Sequence, residues 1–184
     1  GKFSAATTVD FAADVRAAVD YLKTRKDIKK NKIGLIGHSE GGIIAPMVAA
    51  NTKGISFIVL LAGTGIAGDQ ILLLQKELIE RAAGAGETDI QSGQKLNKGA
   101  FEIIKTTANS NEVEEKLLTY YKQNQVPEKT AQAMAKQISD AWMQYFIKYD
   151  PSLNLKKVKC PVLALGGEND LQVPAKANLA AIKQ

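Results

Sequence analysis

The chain has 184 residues, with 24 lysines and arginines against 19 aspartates and glutamates, one histidine and one cysteine. A hydrophobic share of 45% and a charged share of 23% describe one folded globular domain, or one domain with an insertion, and exclude global disorder. One cysteine makes no internal disulfide, one His and one Cys build no His/Cys zinc site, and histidine chemistry must use His38 or borrow another.

Thr7 to about Arg25 reads as a helix, with Phe11, Val15, Val19 and Leu22 forming one apolar stripe. Much of the +5 net charge lies in Lys23 to Lys32, where that helix runs out and positive side chains complement its dipole. Aromatic residues do not interleave with this run, so a solvated helix end is expected and no nucleic-acid partner. No stretch approaches the ~18 apolar residues of a membrane span. The chain opens Gly-Lys-Phe-Ser, without an initiator Met or a signal-peptide pattern, and reads as the middle of something larger.

Ile33 to Gly37 is a short apolar run, expected as a buried parallel strand, and helix resumes from about Glu40 to Asn51 with Pro46 inside it. Ile55 to Ala62 is a second buried strand, so the order helix, strand, helix, strand predicts an α/β fold with a parallel sheet. From Gly68 to Asp150 the patterns are helical: 71–83, 90–108, 112–123 and 129–148. Pro161 to Gly166 is the third strand, and Pro174 to Gln184 begins a last helix. The expected domains are a core at 1–66, a helical cap insertion at 67–150 and a second core part at 151–184. An insertion this long between strands is expected to behave as a lid that excludes water, or else as a stabilising helical layer with no gating role.

Gly37-His38-Ser39-Glu40-Gly41 fits G-x-S-x-G and is framed by a strand before and a helix after, the context the motif requires. A strand-to-helix reversal in one residue strains the backbone at Ser39, and Gly37 and Gly41 are expected to give it room. The turn lifts the Ser39 hydroxyl off the sheet and points the N-terminus of the next helix at it. An oxyanion there meets the Glu40 N–H and the positive end of a helix dipole. A serine nucleophile needs a base, and the base an orienting acid, in the chain order Ser, acid, His. The loop Gly166 to Pro174 follows the third strand, and from spacing alone both Asp170 and Glu168 qualify as that acid.

Ile-Gly-Leu-Ile-Gly-His-Ser-Glu-Gly-Gly at 33–42 resembles the nucleophile turn of the α/β-hydrolase superfamily, in its bacterial esterase and serine-peptidase-like branch. Val158 to Leu165 with Glu168 to Pro174 is similar to that branch's acid-bearing strand and loop. The resemblance implies an Asp at position 170 and a His base on a loop after a further strand. Gln184 comes before that element, so the catalytic machinery reads as incomplete, in a piece truncated at both ends and inactive alone. His38, next to Ser39 on a strand, is expected to point its ring away from the hydroxyl.

The implied function is hydrolysis of ester, thioester or amide bonds through acyl-Ser39, with a small-molecule substrate and no metal or organic cofactor. The alternatives are a hydrolase-like binding scaffold without chemistry and an acyltransferase using the same nucleophile. Gly63-Thr64-Gly65-Ile66-Ala67-Gly68 is a formal G-x-G-x-x-G, but no strand ending in an acid follows it, so a flexible exit from the second strand is expected. Cys160 is expected as a small packed apolar residue. Trp142, Tyr145, Phe146 and Tyr149 share one helix as core or as a substrate-facing wall. Three parallel strands leave two unpaired edges, to be covered by unusual packing, a second copy or further polypeptide.

Overall fold

The structure, a computed structural model, describes residues 5–184. Thr8–Ala67 and Asp150–Gln184 form one compact unit, and Gly68–Tyr149 form the other, with which residues 5–7 group.

The first unit runs α1 (Thr8–Thr24), β1 (Leu35–His38), α2 (Gly41–Asn51) and β2 (Ile58–Leu61), then α8 (Ser152–Leu155), β3 (Val162–Leu165) and α9 (Ala175–Lys183). The sheet is parallel in the order β1-β2-β3, with His38, Leu61 and Leu165 level at its C-terminal end. Side chains alternate along each strand, so the register sorts them into two faces. One face carries Leu35, Ile58, Leu60 and Ala164 and packs into a core with Val19, Ala45, Leu155 and Ile182 of the four helices. The other carries Ile36, Leu163 and Leu165, which are 71%, 53% and 50% exposed.

Each strand is four residues long, shorter than the apolar run that announces it. Ile33 and Ile55 lie outside the strands yet are buried in the same core, because apolarity reports burial and not extended pairing. β2 stops where Ala62 turns to φ 49°, a left-handed conformation that leaves the ladder. α2 is apolar nearly all round, as a helix buried on most sides must be, and Pro46 within it is buried.

The second unit is helical: α3 (Gly68–Ala82), α4 (Glu87–Thr106), α5 (Val113–Gln123), α6 (Glu128–Ile138) and α7 (Ala141–Lys148). Its core is Ala100, Ile104, Val113, Leu117, Tyr121, Ala131, Ala135 and Ile147, each at most 1% exposed. The expected single helix over 129–148 is two. Asp140 breaks it, capping α7 by accepting the Met143 N–H at 2.6 Å. The apolar rhythm continues across the break and hides it. On α7, Trp142 stacks on Phe146 with ring centroids 5.1 Å apart, and Tyr145 stacks on Tyr149, the residue just past its end, at 5.7 Å. Phe146 is buried while Trp142, Tyr145 and Tyr149 are half-buried, so the aromatic row divides between core and surface.

Burial pushes the Tyr121 phenol up to about 12, with a smaller contribution from Tyr120. The folded chain therefore keeps this proton over a range in which the unfolded chain, near pH 10, has lost it. Stability is intact below pH 10 and falls as pH rises from about 10 to about 12, by roughly 2–3 kcal/mol from this group. Urea melts across that range should show the fall, and Tyr121→Phe should remove most of it; an unchanged slope in the variant would be the contrary result.

Candidate active site

The turn between β1 and α2 carries the site. The Ser39 N–H donates to the Leu61 carbonyl at 3.0 Å, continuing the β1–β2 ladder by one residue. At that same residue φ is 54°, a left-handed angle that a non-glycine residue adopts only at a cost of about 1–3 kcal/mol. The Gly42 N–H then donates to the Ser39 carbonyl at 2.9 Å, and the Ile43 N–H to the Glu40 carbonyl at 2.8 Å. The chain thus passes from ladder to helix within one residue, and Ser39 is left exposed at the turn. Its neighbour Glu40 stands at the start of α2, and its side chain accepts the hydroxyl of buried Thr8 at 2.7 Å.

The glycines divide differently from the expectation. A Cβ on Gly37 would lie 1.9 Å from the Gly41 carbonyl oxygen, so Gly37 is required. A Cβ on Gly41 would meet nothing within 4 Å, which corrects the expectation that position 41 needs room. The second required glycine is Gly42, whose Cβ would lie 2.4 Å from the Gly63 Cα. The motif pattern drew attention to 41, but the close approach of α2 to the end of β2 falls one residue later.

Beyond β2, the Gly65 N–H donates to Asn178 Oδ1 at 2.9 Å, and Asn178 Nδ2 donates to the Pro174 carbonyl at 3.0 Å. Asn178 is 1% exposed. A Cβ on Gly65 would lie 2.5 Å from the Asn178 carbonyl oxygen, and one on Gly68 would lie 1.7 Å from that of Phe146. Close backbone packing accounts for the glycines at 63, 65 and 68, with no bound phosphate invoked.

Pro174 ends the loop that holds Asp170. There Asp170 Oδ1 accepts the N–H of Gln172 at 2.8 Å and of Val173 at 2.9 Å, while its own N–H donates to the Gly167 carbonyl at 3.2 Å. These bonds fix the carboxylate, half-buried, and turn Oδ2 into the oxygen left for another donor. Glu168, four residues before Gln172, is exposed. Ser39 and Asp170 lie beyond the C-terminal ends of β1 and β3, the strands that flank β2. His38, the one histidine of the sequence, sits exposed on β1.

Asn178 went unnoticed in the sequence, since an amide in an alanine-rich helix carries no motif. It ties the loop after β2 to the end of the Asp170 loop. Asn178→Ala strands the buried Gly65 N–H and opens a small cavity, so a loss of about 2–4 kcal/mol is expected. Denaturant melts check this; a loss under 1 kcal/mol would show that the bridge is dispensable.

Cys160 is half-buried and packs against the core of its unit. Among the described residues no helix is long and apolar enough to cross a membrane, and no group of three His, Cys, Asp or Glu side chains is placed to hold a metal ion. Comparison with curated proteins gave no match. The family described as BAAT / acyl-CoA thioester hydrolase C terminal matches residues 15–184, nearly the whole chain and both parts of the sheet-bearing unit. With its parallel α/β sheet and that match, the chain belongs to the BAAT / acyl-CoA thioester hydrolase C-terminal family, an α/β-hydrolase-like family of thioester hydrolases and related acyl-transfer enzymes.

Proposed function

We propose that the chain carries the nucleophile and the orienting acid of a serine hydrolase that cleaves thioesters through an acyl-Ser39 intermediate. The observation that carries the reading is the left-handed Ser39, exposed at a one-residue passage from strand to helix. At Ala62 a similar φ merely ends β2, but at Ser39 it sits where the motif puts a hydroxyl between strand and helix, and that turn gives a nucleophile its reach.

In this scheme a histidine takes the Ser39 proton as Oγ attacks the thioester carbonyl. The oxyanion is held by the Glu40 N–H and the N-terminus of α2. Collapse breaks the C–S bond, and the histidine returns the proton to the leaving sulfur. Water, activated by the same histidine, then releases the acid and restores Ser39; an alcohol or amine in its place makes the reaction acyl transfer. Asp170 Oδ2 orients the imidazole, and its two backbone donors favour it over Glu168. We infer that the histidine of this scheme is not His38, which stands exposed at the end of β1 beside Ser39. The family description favours thioesters over the broader choice of esters and amides, and a thiol leaves more readily than an alcohol because its pKa is far lower.

The test is to mix the full gene product with an acyl thioester, quench early and map the acyl group by mass spectrometry. An adduct on Ser39 is expected, with the 184-residue chain alone showing no turnover above background. Rapid turnover with the acyl group on another residue would overturn the reading.

A further inference from the structure

We propose that the end of the sheet opposite Ser39 is a docking surface for an anionic lipid bilayer. Three stretches make this end: 25–33 leads into β1, 51–57 into β2 and 154–161 into β3. The fold ties them together. Ser56 Oγ donates to the Asn31 carbonyl at 2.6 Å, the Ile58 N–H donates to the Pro161 carbonyl at 3.0 Å, and Ile28, Val158 and Cys160 pack against one core.

Charge singles this end out. The three stretches hold nine of the 24 lysines and arginines and one of the 19 acids, so they carry +8 while the remainder of the chain carries −3. Five of the nine lie in 25–33, one is Lys53, and the others are Lys156, Lys157 and Lys159. All nine are exposed, and among the described residues only Arg25 has an ion pair, with Asp27 at 2.9 Å. Along the sequence the first run alone is conspicuous, as a charged helix end; the parallel sheet brings the other two beside it. Like charges gathered without counter-charges repel, and an anionic partner relieves the repulsion.

The side chains say which anion. Eight of the nine are lysines, and the one arginine is held by Asp27. A lysine is a point charge on a flexible stem, which suits a fluid array of head groups, whereas the planar fork of arginine suits the fixed phosphates of a nucleic acid. Exposed apolar groups accompany the charge. Phe57 is 42% exposed, Tyr21, whose hydroxyl accepts Arg25 at 3.3 Å, is 59% exposed, and Leu153, three residues before Lys156, is 62% exposed. Lysines flanked by such groups match a membrane interface, where the charge meets head groups and the apolar part meets the acyl boundary. Ser39 lies at the other end of the sheet, so the surface stands whether or not Ser39 is a nucleophile.

Co-sedimentation of the full gene product with vesicles tests it, using phosphatidylcholine alone and phosphatidylcholine with about a quarter phosphatidylglycerol. At about 0.1 M salt the protein should sediment with the anionic vesicles and not with the neutral ones. At about 1 M salt it should be released, since the Debye length falls from about 10 Å to about 3 Å. Lys156→Gln, Lys157→Gln and Lys159→Gln together should weaken binding about a hundredfold, at about fivefold for each lysine near an anionic surface. Lys29→Gln, Lys30→Gln and Lys32→Gln together should weaken it alike. The same charge removed from the helical unit, by Lys95→Gln, Lys98→Gln and Lys129→Gln, should leave it unchanged. All nine of these lysines are exposed, so the three variants should melt with the parent. The proposal is overturned by absence of binding, by equal binding to neutral and anionic vesicles, by equal losses in the three variants, or by tighter binding to a DNA duplex of about 20 base pairs than to the vesicles.

Discussion

Ser39→Ala is expected to remove all covalent labelling of the full gene product by a fluorophosphonate probe and to lower thioester turnover by on the order of 10⁶-fold, as loss of a serine nucleophile does elsewhere. The size follows from what remains. Without Oγ no acyl-enzyme forms, and only positioning and the proposed oxyanion donors are left to accelerate direct attack by water. The fold should not share the loss. Ser39 is exposed, and alanine meets the same left-handed φ, so the melting temperature should move little. Activity and stability therefore separate in this variant. Labelling that persists in Ser39→Ala would take the nucleophile's role away from position 39. A collapse in stability alongside the lost activity would say that the serine serves the turn and not the chemistry.

Much of the architecture was legible because buried parallel strands and helices leave plain marks. The apolar runs at 55–62 and 161–166 each contain a strand, the run at 33–37 holds all of β1 but His38, and the stripe of Phe11, Val15, Val19 and Leu22 lies on α1. The margins were less legible, since apolarity follows burial. Ile33 and Ile55 are core residues that do not pair as strand, and α6 and α7 share one apolar rhythm across the break at Asp140. At the site, G-x-S-x-G located the turn because its pattern is local. Gly42, Gly63 and Asn178 were hidden because their requirements come from residues distant in sequence: Gly42 faces Gly63, and Asn178 reaches Gly65.

Gly37→Ala and Gly41→Ala should have opposite consequences for stability, although both positions belong to the same five-residue motif. The added methyl at 37 would sit 1.9 Å from the Gly41 carbonyl oxygen, and real Cβ contacts do not come under 3.0 Å. A flexible side chain could swing away, but this neighbour is backbone at the first turn of α2. That turn is itself pinned, because Gly42 and Gly63 approach so closely that a Cβ on Gly42 would be 2.4 Å from the Gly63 Cα. Relief must come from moving α2 against the sheet and breaking close-packed core contacts of Ala45 and Leu60. A loss of more than about 4 kcal/mol is expected for Gly37→Ala, in the range reserved for backbone clashes and badly overpacked cores. Gly41 opens α2, its Cβ would meet nothing within 4 Å, and alanine is a better helix former than glycine by about 1 kcal/mol. Gly41→Ala should therefore melt at the same denaturant concentration as the parent or slightly higher. Equal destabilisation of the two variants would mean that the turn at Ser39 is held by something other than the approach of Gly37 to the Gly41 carbonyl.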